Sequence, residues 1–292
     1  MIQSRLIGDV RVTRVLELTG PTHDPAFLFP GLDHTQIDAN QNWLAPDHWI
    51  PSMRKLIVTI QLWVVHAGGN IILIDTGVGS HKRRPMPRFN MLNTLVMQWL
   101  EAAGAPPDKV THVVMTHLHV DHVGWNTVQA DGRWVPTFPN ARYIMPKLDY
   151  DDAEKKFDAG DPFFGFFGDS VRPVVEAGLV EMMDESKEIA DCLAVEPAPG
   201  HTPGHVSLRV RSRGEEGLFC GDVMHSPMQI VRPDWNSCYC IAPDIARASR
   251  VACLTRAAER GALIMPVHFG APYCGYIRRN DNGFVFEPAT RS

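Results

Sequence analysis

The sequence predicts an α/β chain, with sheets covered by helices and chemistry collected at strand ends. Three observations carry this. Strand-like runs and helical periods both occur in two rough halves; the helical period is clearest over 92–103 and 244–260; and several strand runs end in histidine or aspartate.

The N-terminus, MIQSRLIGDVRVTRV, alternates like a strand. Residues 56–75, LIVTIQLWVVHAGGNIILID, read as two strands joined at Gly68-Gly69-Asn70. Leu92, Leu95, Val96, Trp99 and Leu100 fall at helical spacing, so 92–103 is expected to be a helix. Pro106, Pro107 and Asp108 break the chain before the strand VTHVVMT (110–116). ARYIM (141–145) is another strand, followed by a polar helix over 147–157. Residues 158–170, DAGDPFFGFFGDS, have no clear period, and 155–172 suits a lid insertion or a core-packing loop equally. VSLRVRS (206–212) and LFCGD (218–222) flank a turn at 214–217. Residues 244–260 read as a helix with Asp244 as N-cap and Gly261 just past its end. ALIMPVH (262–268) is a buried strand, and the tail YIRRNDNGFVFEPATRS is strand-rich. Residues 1–292 are taken as a single domain with an N-terminal arm at 21–55.

Composition excludes several classes. With 45% hydrophobic and 21% charged residues among 292, the chain can bury a sizeable core. Its net charge of −5, without a basic stripe, argues against nucleic acid as a partner. No stretch approaches the ~18 apolar residues of a membrane span, and the N-terminus lacks a signal-peptide core. Six cysteines suit buried free thiols in a reducing, cytoplasmic setting. Cys238 and Cys240 are spaced too closely for a usual zinc pair and have no second pair.

The chemistry gathers at four points: THLHVDH (116–122), PGHTPGH (199–205), CGDVMH (220–225) and PVHFG (266–270). Crowded imidazoles repel when protonated and need partners when buried and neutral; a metal ion answers both needs. His117 and His119, two apart, project to one face of an extended backbone, while Asp121 and His122 lie where the chain must turn. Seven ligands over these segments suit two metals better than one.

These residues resemble the metallo-β-lactamase superfamily. The H-x-H-x-D-H signature, GHTPGH, the GD aspartate and the late histidine follow that family's order, and LIDTG (73–77) adds Asp75 in a supporting position. The resemblance covers roughly residues 55–270 and implies an αββα four-layer sandwich with the metals at one edge of two sheets. It implies one metal on His117, His119 and His201, a second on Asp121, His122 and His268, and Asp222 bridging them. Nitrogen-rich, thiolate-free ligation suits two zinc ions per chain, with iron or manganese as alternatives. Two metals about 3.5–4 Å apart share a water and bring its pKa near neutrality, so a bridging hydroxide attacks a carbonyl or phosphoryl centre. Asp121 or Asp222 then moves the proton to the leaving group.

Departures from subfamily patterns narrow the substrate. Dedicated two-zinc β-lactamases carry cysteine or serine near the position of Asp222, and flavodiiron oxidoreductases carry glutamate at that of His119. The inserted domain of the RNA-processing nucleases is not evident. Glyoxalase II-like thioesterases share the seven ligands but end in a helical region, unlike this strand-rich tail. HLHVDHVG and GHTPGHVSL look like the lactonase and methyl parathion hydrolase-like branch. Where those lactonases carry a tyrosine three residues after the bridging aspartate, this chain has His225, a candidate catalytic donor or supporting residue.

The reading is therefore a dinuclear zinc hydrolase acting on a small lactone or other carboxylic ester. A phosphotriester or aryl ester hydrolase stands second, followed by a thioesterase or a mononuclear iron persulfide dioxygenase. Phe27, Phe29, Trp43 and Trp49 give the arm aromatic surface for a pocket wall or a homodimer contact. Trp125 and Trp235 are candidates for the pocket border, with core packing the commoner role for each. His205 is expected to support the ligands by hydrogen bonding. His23, His34, His48, His66, His81 and His112 read as structural or exposed.

Overall fold

The computed structural model describes residues 2–184, 186, 188–281 and 283–290. The chain forms two compact units, each assembled from two separate stretches: Met1–Glu17 with Ile60–Cys192, and Leu18–Thr59 with Leu193–Ser292.

The first unit is built on a seven-stranded sheet. Its order is Ile2–Ile7, Val10–Leu18, Ile60–Ala67, Asn70–Ile74, His112–Val114, Arg142–Met145, Val180–Met182. The alternating N-terminus folds as an antiparallel hairpin with Ile2 opposite Val15. A second hairpin joins Ile60–Ala67 to Asn70–Ile74. Its turn uses Gly68 and Gly69 at φ 55° and 86°, where a side chain would be strained. The last four strands run parallel. Open α/β sheets gather ligands beyond the carboxyl ends of such strands. Asp75 follows Ile74, and the histidine cluster follows Val114.

Val64, Leu73, Val113 and Tyr143 from the sheet pack with Val96, Leu100, Phe166, Phe167 and Val171. The helix expected over 92–103 is shorter, Val96–Ala102. Ser80 Oγ accepts from the Thr94 N–H at 3.0 Å and the Leu92 carbonyl accepts from His81 at 2.8 Å, so these loop bonds hold the chain before Val96. In the 155–172 stretch, the helix Lys147–Asp158 gives way to short turns at Pro162–Phe164 and Phe167–Val171. Phe166 and Phe167 are buried while Phe163 is exposed; each buried ring contributes roughly 1.5–3 kcal/mol. The Asp169 carboxylate accepts from both Arg84 guanidinium nitrogens at 2.6 and 2.8 Å and from Lys82 Nζ at 3.4 Å. Lys82 is buried 3.7 Å from the Trp134 ring centre. Burial pushes its pKa down to about 8, with Asp169 opposing the shift.

The second unit carries a six-stranded sheet ordered Leu193–Pro197, Val206–Ser212, Glu215–Gly221, Leu263–Pro266, Gly275–Asn280, Gly283–Pro288. Only Glu215–Gly221 and Leu263–Pro266 pair in parallel. Val206 opposes Pro197, Leu208 opposes Phe219 and Pro266 aligns with Gly221. That register brings the segments 198–205, 222–227 and 267–270 to one edge of the sheet.

The helix Pro243–Arg260 packs Cys253, Leu254 and Ala257 on Leu218, Ile264 and Ile277. Asp244 is not its N-cap, a correction to the sequence reading. Ala242 holds the cap position without a side-chain bond, Pro243 presets the first turn, and Asp244 pairs with Arg247 at 3.0 Å. Gly261 closes the helix at φ 62°, as expected of a glycine stop.

Residues of the arm build a three-stranded sheet, ordered Pro21–His23, Lys55–Ile57, Trp49–Ile50. Leu56 and Ile57 therefore belong to this sheet and not to the hairpin that begins at Ile60. The helices Pro25–Leu28 and His34–Leu44 are capped by Asp24 and Asp33. Leu28, Phe29, Ile37, Leu44, Trp49 and Leu56 pack with Met228 and Trp235. Among the described residues no helix is long and apolar enough to cross a membrane.

Candidate metal centre

In the first unit, Asp75 sits at φ 56°, a strained conformation outside glycine, and is buried. Its carboxylate accepts from the Thr116 N–H at 2.8 Å and from Thr116 Oγ1 at 2.9 Å, and lies 2.9 Å from His122 Nδ1. A carboxylate only accepts, so His122 carries its hydrogen on Nδ1 and presents a lone pair at Nε2. Thr116 gives its hydroxyl hydrogen to Asp75, so its oxygen can only accept from His117 Nδ1, 3.1 Å away. His117 is thereby also an Nε2 donor toward a metal. That Nε2 stands 3.2 Å from His119 Nδ1, and the His117 and His122 rings lie 4.0 Å apart. Asp121 reaches within 3.8 Å of His122 Nε2.

Gly124 closes the motif. Its N–H bonds the Gly77 carbonyl at 2.7 Å, and a Cβ there would run into the Val78 backbone. Trp125 packs in the core: it is buried, with its indole N–H donating to Glu17 at 2.7 Å. Glu17 also accepts from Val78 and Gly79 N–H, and burial raises its pKa against those bonds. Glu17 went unread because it is a lone acid in an alternating strand.

In the second unit, His268 Nδ1 lies 2.8 Å from the Thr59 carbonyl, which only accepts, so His268 too presents Nε2 as an acceptor. Thr59 fastens this segment further, its hydroxyl 2.9 Å from both the Val267 and Phe269 carbonyls. His268 Nε2 faces Asp222 Oδ1 at 2.9 Å, while His201 Nε2 faces Asp222 Oδ2 at 3.2 Å. His225 Nε2 is 3.3 Å from that same Oδ2. His205 Nε2 accepts from the Asp222 N–H at 2.9 Å and so holds its backbone. Gly200, at φ 120°, lets the His201 loop press on the helix start; a Cβ would collide with the Ala246 backbone.

Burial opposes charging His201, yet Asp222 and Cys240 lift its pKa to about 9. Burial pushes His225 the other way, to about 4. Cys240 also lines a cavity of about 500 Å³ with Phe29, Leu32, Arg232, Trp235 and Ser237. Trp235 packs on Phe29 at 5.6 Å within the arm's core. Tyr239 had no local sequence signal. Its ring lies 5.8 Å from that of His225, and its hydroxyl is 3.1 Å from His23 Nε2.

The donors fit a metal. Zinc bonds of about 2.0–2.1 Å in a tetrahedron place neighbouring donor atoms about 3.3 Å apart. The contacts His117–His119, His201–Asp222 and His268–Asp222 are 3.2, 3.2 and 2.9 Å. An imidazole lone pair and a carboxylate oxygen repel at such a distance unless a proton or a cation sits with them. Asp222, His225 and His268 form one buried group able to hold an ion.

A strand-end histidine and aspartate centre of this kind defines a metalloprotein, and the comparisons give its family. The family model of the metallo-beta-lactamase superfamily matches residues 59–268, and the chain belongs to that superfamily. N-acyl homoserine lactonase AiiB of Agrobacterium fabrum is 23% identical over 204 residues, 64% of this chain and 71% of that protein. A probable metallo-hydrolase of Mycobacterium tuberculosis is 26% identical over 192 residues, 56% of either chain. The hydrolase AbOPH, in the beta lactamase superfamily, superposes with a TM-score of 0.83 at 24% identity, covering 100% of this chain and 98% of its own. AidC, a dizinc quorum-quenching lactonase, superposes at 0.77 and 21% identity, covering 99% and 97%. At these identities the structural likeness shows the fold alone, the α/β architecture of the metallo-β-lactamase superfamily.

Proposed function

We propose that the chain is a metal-dependent hydrolase that opens a lactone or cleaves another carboxylic ester with two zinc ions. One ion is assigned to His117, His119 and His201, the other to Asp121, His122 and His268, with Asp222 common to both. The observation that carries this reading is Asp222 itself, whose Oδ2 is addressed by His201 and whose Oδ1 by His268. A carboxylate with each oxygen turned to a different imidazole suits sharing between two cations. When bound, the ions supply Lewis acidity toward the carbonyl and an activated water at neutral pH.

The protein's own groups do the rest. Asp75, Thr116 and Thr59 fix the tautomers of His122, His117 and His268. Asp121, on the less buried side of its cluster, is the carboxylate suited to hold the proton at an Oδ atom and pass it to the leaving oxygen. The lactone assignment draws support from relatives named N-acyl homoserine lactonase, AiiB and the 34%-identical AttM of Azorhizobium caulinodans, the latter aligned over 38% of this chain. Free thiols at all six cysteines support a cytoplasmic location.

A screen of lactones, aryl esters, phosphotriesters and thioesters on metal-assayed protein tests the reading. Lactone or ester turnover that scales with two zinc per chain is the expected result. One iron per chain with oxygen uptake, or turnover confined to phosphotriesters, would replace it.

A further inference from the structure

The seven donors carried over from the family pattern leave out one imidazole that stands beside Asp222 and His268 in the second unit. His225 is buried, and its Nε2 lies 3.3 Å from Asp222 Oδ2, the edge length of a zinc coordination tetrahedron. Its ring stacks on His268 at 5.0 Å and 16° and lies 5.1 Å from the ring of His201. With Asp222 and His268 it offers donor atoms that all fall within 4.8 Å of one another, each from a buried residue. Its Nδ1 is buried with no hydrogen-bond partner among the described residues. The main-chain N–H of His225, by contrast, is fixed at 2.7 Å by Gln229 Oε1, whose amide is in turn held by the Trp235 carbonyl at 2.9 Å. The backbone is thus anchored for this ring, while the ring has one nitrogen against a carboxylate and another unsatisfied. Its Nε2 and that of His201 both face Asp222 Oδ2, at 3.3 and 3.2 Å, a crowding of acceptor atoms that a cation relieves.

We propose that His225 is an eighth metal donor, binding through Nε2 beside Asp222 and enriching the second unit's donor set in imidazole. This rests on the dinuclear reading above and assigns within it a ligand that the family pattern does not contain. A tyrosine three residues after the aspartate offers a phenol at that place; an imidazole offers a neutral, stronger zinc donor.

The test reads metal binding directly. Zinc affinity of purified protein is measured by competition with a chromophoric chelator, and cobalt-loaded protein by its visible spectrum. His225→Phe should weaken one equivalent of metal by more than about 100-fold, beyond the 10–100-fold that loss of an outer supporting residue costs, and should shift the cobalt bands. His225→Cys should recover affinity and add an intense near-ultraviolet thiolate-to-cobalt band, which a structural role cannot produce. Circular dichroism verifies folding of each variant. In wild-type protein loaded with cadmium-113 and nitrogen-15 histidine, a cadmium–nitrogen coupling at His225 reports the bond without any substitution. Two tightly held metals in both wild type and His225→Phe, with unchanged cobalt spectra and no coupling, would overturn this inference alone. A wild-type protein that binds no metal would overturn the hydrolase reading with it.

Discussion

Asp75 Oδ2 lies 2.9 Å from His122 Nδ1, both groups are buried, and the same carboxylate holds Thr116, which in turn meets His117. One acid therefore sets the tautomer of two imidazoles. Asp75→Asn keeps the shape but offers one acceptor oxygen in place of two. The expected outcome is a loss of about 10–100-fold in zinc affinity with little change in far-ultraviolet circular dichroism.

His119 is the less buried of the two histidines that meet at 3.2 Å. His119→Ala should abolish ester hydrolysis while the chain stays folded, as judged by circular dichroism and thermal melting. Undiminished turnover by the metal-depleted variant would refute the assignment of His119.

Metal removal should destabilise the protein by mass action. Zinc at about 100 times its Kd stabilises a folded site by roughly 2.7 kcal/mol. Dialysis against a chelator should therefore lower the Tm, and added zinc should restore it. A Tm indifferent to zinc would mean that the donors bind nothing in the folded state.

Lys82 gives a pH signature remote from the donors. Its folded pKa, pushed by burial to about 8, lies below the 10.5 of an ordinary lysine. Between those values the unfolded chain binds more protons than the folded one, so this group makes stability rise with pH across that window. Urea unfolding at several pH values should show the rise in wild type and a flatter profile in Lys82→Met.

Gly200 is held at φ 120° against the Ala246 backbone. Gly200→Ala should destabilise the fold by about 1–3 kcal/mol from backbone strain alone, with more from the collision. Because His201 is the next residue, zinc affinity should fall alongside the urea midpoint.

Much of this was legible locally. Alternation foretold extended chain at the N-terminus though not its fold into a hairpin, the paired glycines marked the turn at 68–69, and H-x-H-x-D-H followed by GHTPGH announced the family. What stayed hidden acts across long stretches of chain. The Thr59 carbonyl that orients His268 is backbone, and backbone partners leave no mark on residue identity. Glu17 reaches Trp125, and Tyr239 reaches His23, through pairings that no period encodes. The early start assigned to the helix at Val96 failed because apolar spacing says nothing of backbone groups already bonded to Ser80 and His81. Asp244 as a cap failed because the proline before it had taken the first turn.

The interleaving of the two units has a consequence for biosynthesis. Residues 18–59 emerge from the ribosome early, yet the sheet and helices they must join lie in 193–292. Leu28, Phe29 and Trp49 bury themselves against Met228 and Trp235, and Thr59 bonds the segment around His268. During translation this apolar stretch must wait for its partners until the segment holding Met228 and Trp235 has been made, a delay that invites chaperone capture.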